Sequence, residues 1–232
     1  MQRLDFRKEQ LLAAVVREHA KSAEPVASEA MKEKAGLDVS GATIRNEMLA
    51  LEKAGYLRQP HTSAGRVPTE MGYRYYVAHC LETPNVKEEV DEMQETVSAA
   101  PEHETRMKHL ARELASEMRE GVFVRFAPQS SYYTGLSYLF EQPEFESVDF
   151  VRHMGDIVDN LDRIVAELFE EAAPGVQVYV GSENPFGAQC GTVLLRPASG
   201  QSMTMMGVLG PMRMDYDRAI GMMKELERLM IN

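Results

Sequence analysis

The chain has 232 residues, 44% of them apolar and 26% charged, values close to those of ordinary globular proteins, which excludes wholesale disorder and a fibrous architecture. Its net charge of −11 is unevenly spread: residues 1–80 hold 12 Lys and Arg against 10 Asp and Glu, a net +2, which leaves −13 for the remainder. Short apolar runs, charges at Arg3, Asp5 and Arg7 where an export leader needs an apolar stretch, and two distant cysteines, Cys80 and Cys190, argue against membrane insertion, secretion, a disulfide framework and a CxxC metal site.

Residues 5–20 place Phe6, Leu11, Leu12, Val15, Val16 and His19 at intervals of three and four, the pattern of an amphipathic helix. Lys21 to Pro25 interrupts it. Pro25 then suits the entry to a short second helix that runs to about Ala35 and stops at Gly36. Ser40 is placed to cap a third helix in which Ile44, Met48 and Leu51 form the core stripe and Ala54 and Gly55 close the element.

The other side of that third helix carries Ser40, Gly41, Thr43, Arg45, Asn46 and Glu47, small and polar groups crowded at its start. A helix entering the major groove offers the bases only its first turns, so an uncluttered polar tip is the composition a recognition helix needs. Arg45 and Asn46 have the geometry to pair bidentately with guanine and adenine, while Ser40 and Thr43 suit phosphate oxygens beside the helix N-terminus. Tyr56 to Gln59, a turn-rich stretch from Pro60 to Gly65, and Arg66 to Pro68 read as a β-hairpin. Three helices followed by a hairpin make a winged helix-turn-helix, with Arg58, His61, Thr62, Ser63 and Arg66 along the DNA backbone or minor groove. Thr69 is placed to cap the next helix, which bears Tyr73, Tyr75, Tyr76 and Val77.

Pro84 to Pro101 is acidic and reads as a linker or a solvated helix. Residues 102–120 follow as a helix with Met107, Leu110, Leu114 and Met118 in register, then a strand at Val122–Phe126. Leu161 to Phe169 belongs to a further helix, Val176–Val180, Thr192–Leu195 and Met203–Leu209 are strands, and Tyr216–Met230 is a closing helix. The mixture is α+β. Sixteen methionines fall mostly at core spacing and read as packing, and His103 and His109, six apart, do not share a helix face as paired ligands would. GxSxG, P-loop and GxGxxG patterns are absent, so neither an enzyme nor a cofactor or metal site is expected.

Several stretches resemble the HrcA family of heat-inducible bacterial transcription repressors: Ala23-Glu24-Pro25-Val26, SGATIRNEMLALEKAGYL over 40–57 and QPHTSAGRVPTEMGYRYYV over 59–77. Gly135-Leu136-Ser137 with Gln142 to Phe145, GSENP over 181–185 and GVLGPMRMDY over 207–216 are similar to later segments of the same family. The resemblance implies a winged-helix reader of an inverted-repeat operator before chaperone operons, a homodimer, a chaperonin partner and a GAF-like second domain. One departure stands out. Family members carry an inserted dimerising domain within the second domain, whereas Gly121 to Ser131 here joins a helix directly to Tyr132-Tyr133-Thr134-Gly135, so the insertion and some sheet strands are expected to be missing.

The expected organisation is a winged-helix DNA-binding domain over 1–82, an acidic linker or helix over 83–101 and a reduced GAF-like regulatory and dimerisation domain over 102–232. The expected function is operator-binding repression of heat-shock operons by a cytoplasmic homodimer on double-stranded DNA. The alternative is an interaction module that senses a partner or metabolite and binds DNA only weakly.

Overall fold

The computed structural model describes residues 3–62, 64–97, 102–126, 130–198 and 204–231. The chain divides into two compact units, Met1–Glu82 with Arg213–Asp215, and Thr83–Met212 with Tyr216–Asn232.

In the first unit, α1 (Phe6–Ser22) starts where the Asp5 side chain accepts the Lys8 amide hydrogen, and it buries Leu11 to Val16. Phe6, expected in the apolar stripe, is instead 73% exposed, because it lies one turn ahead of the helix segment that meets the core. The second helix is far shorter than expected: only α2 (Met31–Lys34) is helical. Val26 gives its N–H and its carbonyl to Arg66, each at 2.9 Å, so the chain after Pro25 is extended. Gly36, with φ +61°, ends this segment in the left-handed region that favours glycine.

Helix α3 (Gly41–Lys53) begins as expected, the Ser40 side chain accepting from the Thr43 amide, and buries Ile44, Met48 and Leu51. Strands β1 (Leu57–Arg58) and β2 (Val67–Pro68) pair antiparallel, Leu57 opposite Pro68 and Arg58 opposite Val67. Thr69 caps α4 (Glu70–His79) through the Gly72 amide. The three tyrosines of α4 are buried and tied to α1: Tyr73 meets His19 Nδ1 at 2.6 Å, Tyr75 donates to Glu9 at 2.6 Å, and Arg17 donates to Tyr76 at 3.1 Å. Polar tips on apolar rings thus fix the angle between α1 and α4 as well as burying area.

The second unit holds α5 (Lys87–Val97), α6 (His103–Met118), β3 (Gly121–Phe126), β4 (Ser130–Thr134), α7 (Leu136–Phe140), a 3-10 turn at Pro143–Glu146, α8 (Val148–Glu171), β5 (Gly175–Val180), a 3-10 turn at Gly181–Glu183, β6 (Cys190–Arg196), β7 (Thr204–Pro211) and α9 (Tyr216–Ile231). The sheet is antiparallel throughout, in the order β4-β3-β7-β6-β5. Both faces of its centre are buried, which explains why β6 and β7 read as near-continuous apolar runs. Phe123, Cys190, Leu194, Met205 and Leu209 form one core with Phe150, Met154, Ile157, Leu161 and Leu168 of α8. Val122, Val124, Val193, Leu195, Met206 and Val208 point the other way by strand alternation, the side on which α6 and α9 pack. This helix-flanked sheet is the expected GAF-like α+β unit.

Three elements go beyond the sequence reading. The acidic stretch over 83–101, read as a linker or a solvated helix, contains the helix α5, which with Val86 just before it buries Val90 and Met93 within the second unit. Segment 130–134, assigned to no element from the sequence, is the edge strand β4, paired along its length with β3 from Val122 opposite Thr134 to Phe126 opposite Ser130. The helix around 161–169 reaches back to Val148, where Ser147 caps it through the Phe150 amide. Met203 lies outside the described residues. Among those residues no helix is long and apolar enough to cross a membrane.

Candidate nucleic-acid interface

With Ile44, Met48 and Leu51 turned to the core, the residues left exposed along α3 are Ala42, Arg45, Asn46 and Leu49, at i, i+3, i+4 and i+7, and Lys53 in its last turn. That spacing is one face of a helix. Arg45 has a 65% exposed side chain and only a 3.9 Å approach to the still more open Glu29. At the tip, Ser40 Oγ lies 3.0 Å from Thr43 Oγ1 and accepts the Thr43 amide at 3.2 Å. A Cβ added to Gly41 would meet nothing within 4 Å, so its hydrogen keeps the tip low toward solvent and answers to no packing inside the chain. Glu47, counted at sequence level with the polar tip, turns out to be half-buried, 3.4 Å from Lys8 Nζ and 3.6 Å from Arg7 Nη1. Those two contacts pull the start of α1 against the flank of α3 and partly neutralise the carboxylate.

The wing is braced from within. Gln59 Nε2 donates to the carbonyls of Thr62 at 3.1 Å and Ala64 at 2.9 Å, and the Ala64 amide donates to His61 at 2.9 Å. This holds the loop closed while Arg58, His61 and Thr62 stay exposed. Ser63 lies outside the described residues. Arg66 departs from its expected role as an outward cation: its Nε donates to Glu52 at 2.9 Å, its side chain is 15% exposed, and its backbone pairs with Val26. It clasps the wing to α3. Gly65 permits this clasp, since a Cβ there would fall 2.4 Å from the Val26 carbonyl oxygen.

Ser40, Gly41, Thr43, Arg45 and Asn46 therefore lie together on one helix start, and Arg58, His61 and Thr62 lie on the wing that follows it. Sequence reasoning did not find Ala42 and Leu49, although counting the α3 face outward from Ile44 and Met48 would have reached both. Nor did it find Gln59 as the brace, because its partners are backbone carbonyls with no sequence signature.

Outside the first unit, a groove of about 280 Å³ is lined by Glu89, Glu92, Met93, Glu113, Glu117 and Arg218. Arg218 there is bound to Glu89 at 2.7 Å and Glu117 at 3.0 Å. In the GSENP segment, Asn184 is buried and donates to the Tyr179 carbonyl and to Thr192 Oγ1 while accepting the Phe186 amide, so this motif builds the β5–β6 connection. Among the described residues no group of three His, Cys, Asp or Glu side chains is placed to hold a metal ion.

The family described as HrcA protein C terminal domain matches residues 75–220. A heat-inducible transcription repressor HrcA of Carboxydothermus hydrogenoformans is 51% identical over 89 residues, which cover 38% of this chain and 26% of that protein. The namesake of Thermoanaerobacter sp. is 26% identical over an alignment of 336 positions that takes in 99% of this chain and 98% of the relative. Over the first-ranked curated relatives the chain matches only 25% to 51% of their length. An alignment of 336 positions against a chain of 232 residues also means that more than a hundred positions of the Thermoanaerobacter protein have no counterpart here. A crystal structure titled as that of a hypothetical protein superposes with TM-score 0.73 at 18% identity, over 98% of both chains. That likeness concerns the fold alone.

Proposed function

The chain belongs to the HrcA family, and from that premise we propose that it is a repressor that binds an inverted-repeat operator of heat-shock operons as a homodimer in the cytoplasm. The observation that carries this reading is the exposed face of α3, Ala42, Arg45, Asn46 and Leu49 behind an open tip, set beside a wing whose loop is braced by Gln59. Arg45 and Asn46 read base edges, Ser40, Gly41 and Thr43 bring the helix N-terminus to a phosphate, and Arg58, His61 and Thr62 follow the adjoining backbone. Arg66 and Glu52 position the wing. Residues 1–82 are the reading domain, and 83–232 serve dimerisation and control.

The test is affinity for an inverted-repeat duplex from the promoter of a chaperone operon against a scrambled duplex, across salt concentrations. A repressor prefers the repeat by about 10³-fold or more, with a steep salt dependence from phosphate contacts. Equal and weak affinity for both duplexes favours a partner-sensing module and ends the operator reading. The chaperonin implied by the family resemblance is tested by adding it to the same titration, where a partner changes operator affinity.

A further inference from the structure

Along α8 the side chains of Phe150, Met154, Ile157, Leu161 and Leu168 are buried in the core, yet a second apolar stripe runs beside them in solvent. Val148 is 64% exposed, Val151 45% and Val158 41%, and Gly155 lies between the last two. Among the described residues six large apolar side chains stand exposed, and four of them, these three valines and Phe140, lie on α8 and on α7 shortly before it. Phe140 packs edge-on against Phe145 at 4.9 Å, and Phe145 edge-on against Phe150 at 4.9 Å, so the apolar surface continues past the start of α8. Scattered exposed apolar residues need no explanation, whereas a contiguous row marks a contact.

We propose that this stripe is the contact between two copies of this chain, α8 packed antiparallel against α8 of the partner about a two-fold axis. The spacing of Val148, Val151, Gly155 and Val158 is three, four, three, which reads the same in both directions. A two-fold axis at position 153 therefore sets each Val148 opposite the partner's Val158 and each Val151 opposite the partner's Gly155. An isologous interface requires this self-complementarity, and a row meant for an unrelated protein does not. Gly155 supports the pairing. A Cβ there would meet nothing within 4 Å, so no contact inside the chain asks for glycine, and glycine in a helix interior is unfavourable relative to alanine. Opposite Val151 of a second copy it becomes a notch that lets the two backbones approach.

Charge is also self-complementary. At 1.5 Å of rise per residue, Arg152 comes within about 3 Å along the axis of the partner's Asp156, with the partner's Asp159 one turn further on. All three side chains are exposed on this flank of the helix. A membrane surface, the other common destination of an apolar helix face, calls for a cationic border, whereas this helix exposes Asp156, Asp159, Asp162 and Glu167. The contact deepens the operator-binding reading, on which it rests for its purpose, because it supplies the two-fold pair that an inverted repeat requires.

The mass of the full chain is measured by sedimentation without DNA, up to about 100 μM, a concentration at which even a weak specific dimer forms. The wild type sediments as a dimer, and Val151→Glu raises its dissociation constant by about tenfold or more, as loss of a central contact does. Gly155→Leu also dissociates it although it adds apolar surface, whereas a merely sticky patch would associate more strongly. A chain carrying both Val148→Cys and Val158→Cys oxidises to a covalent dimer through these residues, and either substitution alone does not. That cross-link also decides the matter if Val151→Glu fails to fold. A monomeric wild type, or a dimer indifferent to Val151→Glu and Gly155→Leu, overturns the interface. A dimer that splits as described but ignores the inverted repeat upholds the interface and overturns the operator reading alone.

Discussion

Three side chains on α3 carry the proposed readout, Arg45, Asn46 and Leu49, and each makes a separate demand on the DNA. Arg45→Ala and Asn46→Ala each lower operator preference by about 1–3 kcal/mol, whereas Arg58→Ala weakens all sequences alike and reduces the salt slope by about one, as read by titration on operator and scrambled duplexes. Leu49, 39% exposed two turns into the helix, has no polar group and fits a thymine methyl. Replacing thymine by deoxyuridine across the half-site, base pair by base pair, therefore costs about 1 kcal/mol at one position for the wild type, the worth of a buried methyl, and nothing there for Leu49→Ala. A wild type indifferent to every such replacement removes Leu49 from the readout. Most of this was legible, because Ile44, Met48 and Leu51 fix which face of α3 is inward and so which is outward. Arg66 and Glu47 were not legible: an exposed cation and one bound to Glu52 look identical until the fold brings the two elements together.

At the scale of elements, what matters is how α1, α3, α4 and the wing are locked. Arg66→Ala leaves Glu52 half-buried without its partner and frees β2 from α3, so the first unit loses about 1–2 kcal/mol of stability and melts a few degrees lower, while base preference is unchanged. Tyr75 provides a pH signature. Burial first, and then the Glu9 carboxylate beside it, push its hydroxyl from the ordinary 10.0 up to about 12. A folded value above the unfolded one means that this hydroxyl stabilises the fold fully below pH 10 and that the contribution disappears as pH rises through 12. Thermal melts between pH 9 and 12 show a steeper loss for the wild type than for Tyr75→Phe, and equal slopes would mean that the α1–α4 clasp does not titrate. Tyr133 in the second unit, pushed up to about 12 by burial and by Asp162, adds to the same loss in both proteins. Helices α1, α3 and α4 were readable because each has a capping side chain and a periodic stripe. Helix α2 was misjudged, because Pro25 is equally compatible with helix entry and with the extended bridge that Val26 makes to Arg66.

For the whole molecule, the proposed two-fold pair of reading heads would link stability, association and operator binding. Ligand that binds only the folded state stabilises it by about 2.7 kcal/mol at a hundred times the dissociation constant, so saturating operator raises the melting temperature of the wild type by several degrees. Scrambled duplex at the same concentration does not. If heat relieves repression by acting on this chain directly, the unbound protein loses its dimer mass within the growth range of its host, and a transition far above that range assigns heat sensing to another component.

Capping residues, the apolar stripes of the helices and the turn-rich wing are local properties, set by neighbours within a few positions, and the sequence alone determined them together with the family and the α+β class. Which charged side chains stay in solvent and that α8 leaves a second stripe uncovered depend on elements that come together only in the fold. Local sequence encodes what a helix can bury, but only the packing of the sheet on α8 decides how much of that surface is actually covered.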